Sequence, residues 1–387
     1  MAGLTIVTSA LGWALLLMAA VGVLYMVAAT LALNRVLAVR RAPAAGNEAV
    51  TILKPLHGGE PRLVDNLASF IEQDHRGPVQ ILCGVQRQND PAIDTVRTLQ
   101  ARHPSIRIDL VVDAACHGAN GKISNLVNMM RHAAHDTLIL SDSDMVVDRT
   151  YLSGVLAALR QPGIGAVTCL YRGRGDAGFW SRLAAAGSSY QFLPNLAFAK
   201  AHGMAAPCMG STIALRRGTL DAVGGFARFA DVLADDHAIG QAVEELGLSV
   251  AVPPILLTHA FADTHFRDLW RHELRWAATV RGIAPDGYAG SIVTMPLPLA
   301  LLAIPFHPVP ALATIAVTLA VRLSTKRVAD RHAGAISAPF WMLPLRDALN
   351  FAIFFASFFV RSIDWRGSAL TMLGDGRVQA SSETAGT

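Results

Sequence analysis

Thr137-Leu138-Ile139-Leu140-Ser141-Asp142-Ser143-Asp144 decides the fold of this chain. The apolar run is short enough for a buried strand, and it ends in two carboxylates one residue apart. The same rhythm precedes it. Val50-Thr51-Ile52-Leu53 reads as a strand, halted by Lys54-Pro55 and Gly58-Gly59. Leu63, Leu67 and Phe70 at i, i+4 and i+7 predict a helix. Residues 79–85 predict a second strand, and 91–102 a helix with Ile93, Val96 and Leu99 on one face. A third strand over 108–112, a helix over 125–132 and a fourth strand over 137–140 complete the alternation. Strands alternating with helices predict an α/β fold, a mainly parallel sheet with helices on both faces. Ligands in such sheets sit beyond the carboxyl ends of the strands. Asp90 and Asp142-Ser143-Asp144 fall there.

Composition sets the surroundings of that sheet. The chain is 52% hydrophobic and only 16% charged, too apolar for an ordinary soluble enzyme. Its net charge of +4 is modest, and the basic residues cluster beside apolar runs rather than in a stripe suited to nucleic acid. Four widely spaced cysteines with no CxxC pair suit reduced thiols. Residues 1–33 carry no charged side chain. A helix over residues 11–33 would be about 34 Å long, enough for a bilayer core of about 30 Å. A cleaved signal peptide would need a basic segment ahead of a shorter apolar run. We expect a transmembrane helix over 8–33, with Arg35, Arg40 and Arg41 on its cytoplasmic side.

Residues 48–290 are expected to form the catalytic domain, facing the cytoplasm. A C-terminal membrane region is expected over 291–370. Residues 291–321 are free of charge, but Pro296, Pro298, Pro305, Pro308 and Pro310 interrupt them, predicting a broken helix or a re-entrant hairpin. The run 348–360 is short for a crossing and suits either an interfacial helix or a span that uses its flanks. The Ser/Ala/Thr/Gly-rich tail, 376–387, is expected to be disordered.

Several residues in the central segment carry chemistry. Alternating carboxylates at a strand end, Asp142 and Asp144, can hold a hard cation, Mg²⁺ or Mn²⁺, that bridges a diphosphate. The same residues would also suit an acidic turn or a helix cap. Asp90, just before Pro91, is a candidate for the nucleotide and equally a helix cap, with Asp94 the weaker choice. Asp235-Asp236 precede a helical run over 238–246. They suit the helix dipole, and Asp236 there is also placed to take a proton, with Asp235 orienting it. In Trp270-Arg271-His272-Glu273-Leu274-Arg275-Trp276, Arg275 suits a diphosphate and Trp276 a sugar or the acceptor path. An aromatic-basic membrane anchor is the competing reading. Gly118-Ala119-Asn120-Gly121-Lys122 reads as a glycine-rich turn or as a phosphate contact through Lys122. Gly210-Ser211-Thr212 suits a loop at the sugar pocket, and His117 and His237 lack metal-ligand spacing. Together the clusters point to a membrane-bound enzyme using a nucleotide-sugar.

Taken together, these elements resemble the ceramide-glucosyltransferase-like branch of the GT-A glycosyltransferases, which carries Asp, Asp-x-Asp-like, Asp and (Gln/Arg)-x-x-Arg-Trp elements. The resemblance covers most of the chain, including Leu53-Lys54-Pro55-Leu56-His57-Gly58, Asp90-Pro91-Ala92-Ile93-Asp94, Lys122-Ile123-Ser124-Asn125-Leu126 and Asp364-Trp365-Arg366-Gly367. Within the branch it looks most like the bacterial hopanoid-biosynthesis-associated glycosyltransferases. His117-Gly118-Ala119-Asn120, Cys169-Leu170-Tyr171-Arg172-Gly173-Arg174 and the segment from Trp270 to Trp276 carry that closer likeness. The resemblance implies inverting transfer of N-acetylglucosamine from UDP-GlcNAc to the polyol side chain of bacteriohopanetetrol at the bacterial inner membrane. It implies Lys54, Asp90, Lys122 and Asp142 at the donor, Asp142 and Asp144 at the metal, and Asp236 as base beside Asp235, Arg275 and Trp276. His272 stands where the family has Gln or Arg. The rival readings are a glucosyltransferase acting on ceramide or another lipid with UDP-glucose, a polysaccharide synthase, and a non-catalytic membrane scaffold keeping the fold.

Overall fold

The computed structural model describes residues 2–39, 46–203, 208–360, 362–365, 368–372 and 378–380. The long apolar helix α1 (Ala2–Ala38) leads into β1 (Val50–Pro55), α2 (Leu63–Ile71), β2 (Val79–Val85), α3 (Ala92–Arg102) and β3 (Arg107–Val112). Next come α4 (Gly121–Met130), β4 (Thr137–Leu140), β5 (Met145–Val146), α5 (Tyr151–Leu159), β6 (Ile164–Val167) and β7 (Leu170–Gly175). Helix α6 (Phe179–Gly187) runs through a π-helical turn (Ser188–Phe192) into α7 (Leu193–Ala201). β8 (Ile213–Arg216), α8 (Arg217–Ala222), α9 (Asp235–Glu245), β9 (Ser249–Ala251) and β10 (Leu256–Phe261) complete the α/β part. The chain ends in α10 (Phe266–Ile283), α11 (Pro285–Gly290), α12 (Pro296–Ala303), α13 (Pro308–Ala333), α14 (Met342–Ser357) and the strands β11 (Ser362–Trp365), β12 (Ser368–Met372) and β13 (Val378–Ala380).

The main sheet has the order β3-β2-β1-β4-β8-β6-β9. β1, β2, β3 and β4 are mutually parallel, and β8 runs antiparallel to both β4 and β6. The chain steps outward from β1 to β3 and then returns to place β4 on the other side of β1. That reversal opens a crevice at the carboxyl ends of β1 and β4, the usual place for a ligand. A second sheet, β5-β10-β7, pairs His259 with Met145 and so sets β10 beside the residues that follow β4. Apolar strand residues such as Ile52, Ile81 and Ile139 are fully buried, with α2 and α3 covering one face through Leu67, Phe70, Val96 and Leu99. Leu126, Met129 and Ile239 cover the other.

Three boundaries differ from the sequence expectation. β1 does not halt at Lys54-Pro55 but continues through both, because Lys54 and Pro55 still pair in register with Cys83 and Gly84. α4 starts four residues before Asn125, since the Asn120 side chain accepts from Ile123 N and fixes the first turn. α9 likewise begins at Asp235, so both aspartates lie inside its first turn. In the tail expected to be disordered, Val378–Ala380 forms a strand against β12, and residues 381–387 lie outside the described residues, as do Arg40 and Arg41.

Two helices, over Val7–Ala38 and Pro308–Ala333, are long and apolar enough to cross a membrane. Contacts along α1 order the helices packed on it. Leu299 and Ala300 meet Ala19, Ala303 meets Leu16, and His307 reaches Ser9 and Trp13. From there α13 returns alongside α1, with Thr325 hydrogen-bonded to Thr30 and His332 to Asn34. The prolines therefore mark a hairpin whose two ends lie toward the same end of α1. At eight residues α12 is far too short to span alone.

Candidate active site

The loops beyond β1, β2 and β4 form one wall of a cavity of about 1550 Å³, lined there by His57, Gln86, Arg87, Asp142 and Asp144. α4 and α9 add Lys122, Asp235 and Asp236, and α10 adds Arg275 and Trp276. Small-molecule sites occupy roughly 300–1,000 Å³, so this cavity has room for more than one substrate. Residues from four separate sequence clusters thus face a single space.

Lys122 organises its floor. Its Nζ lies 2.8 Å from Asp142 Oδ1 and 3.2 Å from Asp235 Oδ2. Burial works against the charged amine, but Asp142, Asp235 and Asp236 outweigh it and hold its pKa above the ordinary lysine value. The Gly210 backbone joins two of the carboxylates. Its carbonyl accepts from Asp142 N at 3.1 Å, and its N–H donates to Asp236 Oδ2 at 3.0 Å. A Cβ at Gly210 would sit 2.3 Å from Asp142 Oδ2, so a side chain here would displace that carboxylate. The other Asp236 oxygen accepts from His237 N at 2.8 Å. It is the backbone of His237, not its ring, that touches the acid. Burial first, and then the neighbouring Asp235, push the Asp236 carboxyl up to about 6, while Lys122 pulls the other way. An acid raised toward neutrality at a helix start suits a general base.

Asp144 faces β10. Its Oδ2 lies 3.0 Å from His259 Nε2, and its backbone carbonyl accepts from Ala260 N at 2.8 Å. His259 is a site residue that the sequence reading did not single out. The available signal was one titratable residue inside the mostly apolar run Leu256-Leu257-Thr258-His259-Ala260-Phe261. Its ring packs against Tyr171, Phe261 and Trp276. His272, at the departure from the family pattern, packs edge-on against Trp276 with centroids 4.4 Å apart. Its Nδ1 lies 3.5 Å from Asp263 Oδ1.

Two expected donor residues do not line this cavity. Lys54 is fully buried beneath the cavity rather than along its wall. Its Nζ donates to Ser141 Oγ and to the Asp142 carbonyl, and it sits 3.4 Å from the Phe70 ring centroid. Burial lowers its pKa to about 7, and it supports the Asp142 loop from below. Asp90 also stands off the cavity wall. Its oxygens accept from Gly58 N at 3.0 and 3.1 Å and from Ala92 N at 2.9 Å, so the carboxylate pins the β1–α2 loop and caps α3. Asp94 is exposed, beside Arg97.

The sequence profile of glycosyl transferase family 21 matches residues 14–378. The chain belongs to that family. Ceramide glucosyltransferase 1 of Caenorhabditis elegans is 24% identical over 207 residues, covering 52% of this chain and 43% of the relative. The ceramide glucosyltransferase of Candida albicans is 29% identical over 123 residues, or 29% of this chain and 23% of the relative. The chain thus matches under half the length of these curated relatives. A solved mannosyltransferase from Pyrobaculum calidifontis, in complex with GDP-Man and Mn²⁺, shares the fold at a TM-score of 0.51 and 21% identity. That similarity covers 91% of this chain and 99% of the mannosyltransferase.

In this family-21 chain the metal-binding candidates are Asp142 and Asp144. Among the described residues no three His, Cys, Asp or Glu side chains are grouped to hold a metal by themselves. Two carboxylates nevertheless fit a hard cation that fills its remaining positions with phosphate and water. The Arg275-Trp276 helix is anchored to the C-terminal helices by a buried pair, in which Arg346 Nη1 and Nη2 lie 2.6 and 2.7 Å from the two Glu273 oxygens. Breaking such a pair strands one charge. Arg346→Ala is expected to destabilise the protein by about 3–5 kcal/mol, seen as a lower unfolding midpoint in detergent. An unchanged midpoint would show that the pair contributes nothing.

Proposed function

We propose that this chain is an inverting glycosyltransferase that moves a sugar from a UDP-sugar to a hydroxyl of an amphiphilic membrane lipid. The observation that carries this reading is the cavity itself, which extends without a break from Asp142, Asp144 and Asp236 to apolar walls at Val280, Met295, Ile353 and Phe354, beside the hairpin of α12 and α13. A polar, cation-suited end and an apolar end fit a charged donor and a lipid acceptor.

Asp236 takes the proton of the acceptor hydroxyl as its oxygen attacks the anomeric carbon. The bond to UDP breaks in the same displacement, which inverts the centre. Lys122 and Arg275 supply positive charge near the departing diphosphate, and Trp276 offers a face to the sugar or acceptor. Mg²⁺ or Mn²⁺ bound at Asp142 and Asp144 would offset the charge that builds on the leaving group. Arg35 at the end of α1 supports a cytoplasmic position for the catalytic part, at the inner membrane of a bacterium.

UDP-GlcNAc as donor and a hopanoid polyol as acceptor rest on the resemblance that the blocks around His117, Cys169 and Trp270 bear to the hopanoid-associated glycosyltransferases. The curated relatives favour a second reading, glucosylation of ceramide or another lipid. The test is UDP release by purified, detergent-solubilised protein with either UDP-sugar and Mg²⁺ or Mn²⁺, followed by mass spectrometry of the lipid. A hopanoid polyol heavier by one N-acetylhexosamine is the expected result. A hexosylated ceramide would select the second reading. Failure to modify any lipid would overturn both and revive the non-catalytic scaffold.

A further inference from the structure

We propose that a polar collar partway along the cavity binds the hydroxyl- or amide-bearing headgroup of the acceptor lipid. The assignment rests on the lipid-acceptor reading above and adds to it the residues that select the acceptor.

The direction of the cavity follows from two helices. α10 and α14 run side by side in the same sense, since Glu273 meets Arg346 and, further on, Arg281 Nη2 donates to Val360 O at 2.9 Å. Along α14 the cavity is lined by Arg346, then Asn350, then Ile353 and Phe354. Along α10 it is lined by Glu273 and Trp276, then Val280 and Ile283. Both walls therefore change from polar to apolar in the same direction. The polar end is the catalytic end, because the Trp276 ring lies 5.9 Å from the ring of His259, which binds Asp144.

The π-helical turn supplies a third wall. Such turns occur mostly as bulges within α-helices, often at functional sites. Here Gln191 of the turn and Asn195 of α7 line the cavity beside α14. Gln191 accepts from Arg346 Nε at 3.2 Å. Gly187 lets that guanidinium close in, since a Cβ there would lie 2.3 Å from its Cζ. The ion pair holds the collar in shape, and Asn195 and Asn350, which line the cavity and are not buried, provide its ligand-facing groups. An acceptor carrying further hydroxyls or an amide near the reacting oxygen, as polyol and sphingoid lipids do, fits this lining. A plain long-chain alcohol does not.

Asn350→Leu and the more exposed Asn195→Leu test the assignment in the full-length protein in detergent. KM is measured for a hopanoid polyol, for ceramide, for a plain long-chain alcohol and for the UDP-sugar. Calorimetric UDP binding selects the variants that are folded. We expect KM for the polar-headed acceptor to rise about tenfold or more for at least one folded variant, as for a lost hydrogen bond. The KM for UDP-sugar should stay within about twofold, and the preference over the plain alcohol should shrink. Wild-type acceptor KM and preference in the folded variants would overturn the collar while leaving lipid transfer in place. If the wild-type protein glycosylates no lipid, the underlying reading falls, and the collar with it.

Discussion

Asp236→Asn is expected to lower kcat for lipid glycosylation by about 10²–10⁴-fold, the range for removing a general base. UDP should bind the variant as it binds the wild type, because asparagine keeps an oxygen to accept from Gly210 N or His237 N. Turnover at the wild-type rate would remove Asp236 from the base role. The same residue sets the acid limb of the pH profile. A base acts only when deprotonated, and burial together with Asp235 pushes this carboxyl up to about 6. kcat/KM should therefore be lost as pH falls through about 6, rather than near the ordinary aspartate value of about 4. In residual Asp236→Asn activity that limb should disappear.

Asp144→Ala should weaken metal-dependent donor binding by about 100-fold or more, since loss of groups behind a metal ligand alone costs roughly 10–100-fold. Titration of UDP by calorimetry, with Mn²⁺ present and after chelation, separates the contributions. The wild type should lose affinity on chelation, and the variant should already be weak and respond little. A variant that binds UDP tightly and remains fully sensitive to chelation would show that Asp144 is not a ligand.

Much of this site was legible because its chemistry sits on short, strongly patterned elements. Asp142 and Asp144 follow an apolar strand, and Asp235-Asp236 open a helix, so both the parallel sheet and the placement of carboxylates at its end could be read from local sequence. The order of the far strands could not. β8 enters antiparallel between β4 and β6, a pairing that depends on contacts between residues such as Ile139 and Ala214, far apart in the chain. Lys54 and Asp90 look like donor residues in sequence. Whether a side chain faces a cavity or its own backbone, however, is decided in three dimensions, here by Phe70, Ser141 and Gly58. His259 carried a faint signal as a titratable residue in a mostly apolar strand. The Glu273–Arg346 pair carried none, because its partners lie 73 residues apart.

A single displacement at the anomeric carbon, assisted by Asp236, fixes the anomeric configuration of the lipid product. With an α-linked UDP-sugar as donor, proton NMR of the purified glycolipid should give the large anomeric coupling of a β-linked product. A small coupling from an α-linked product would mean retention, contradicting the displacement and the role of Asp236 in it.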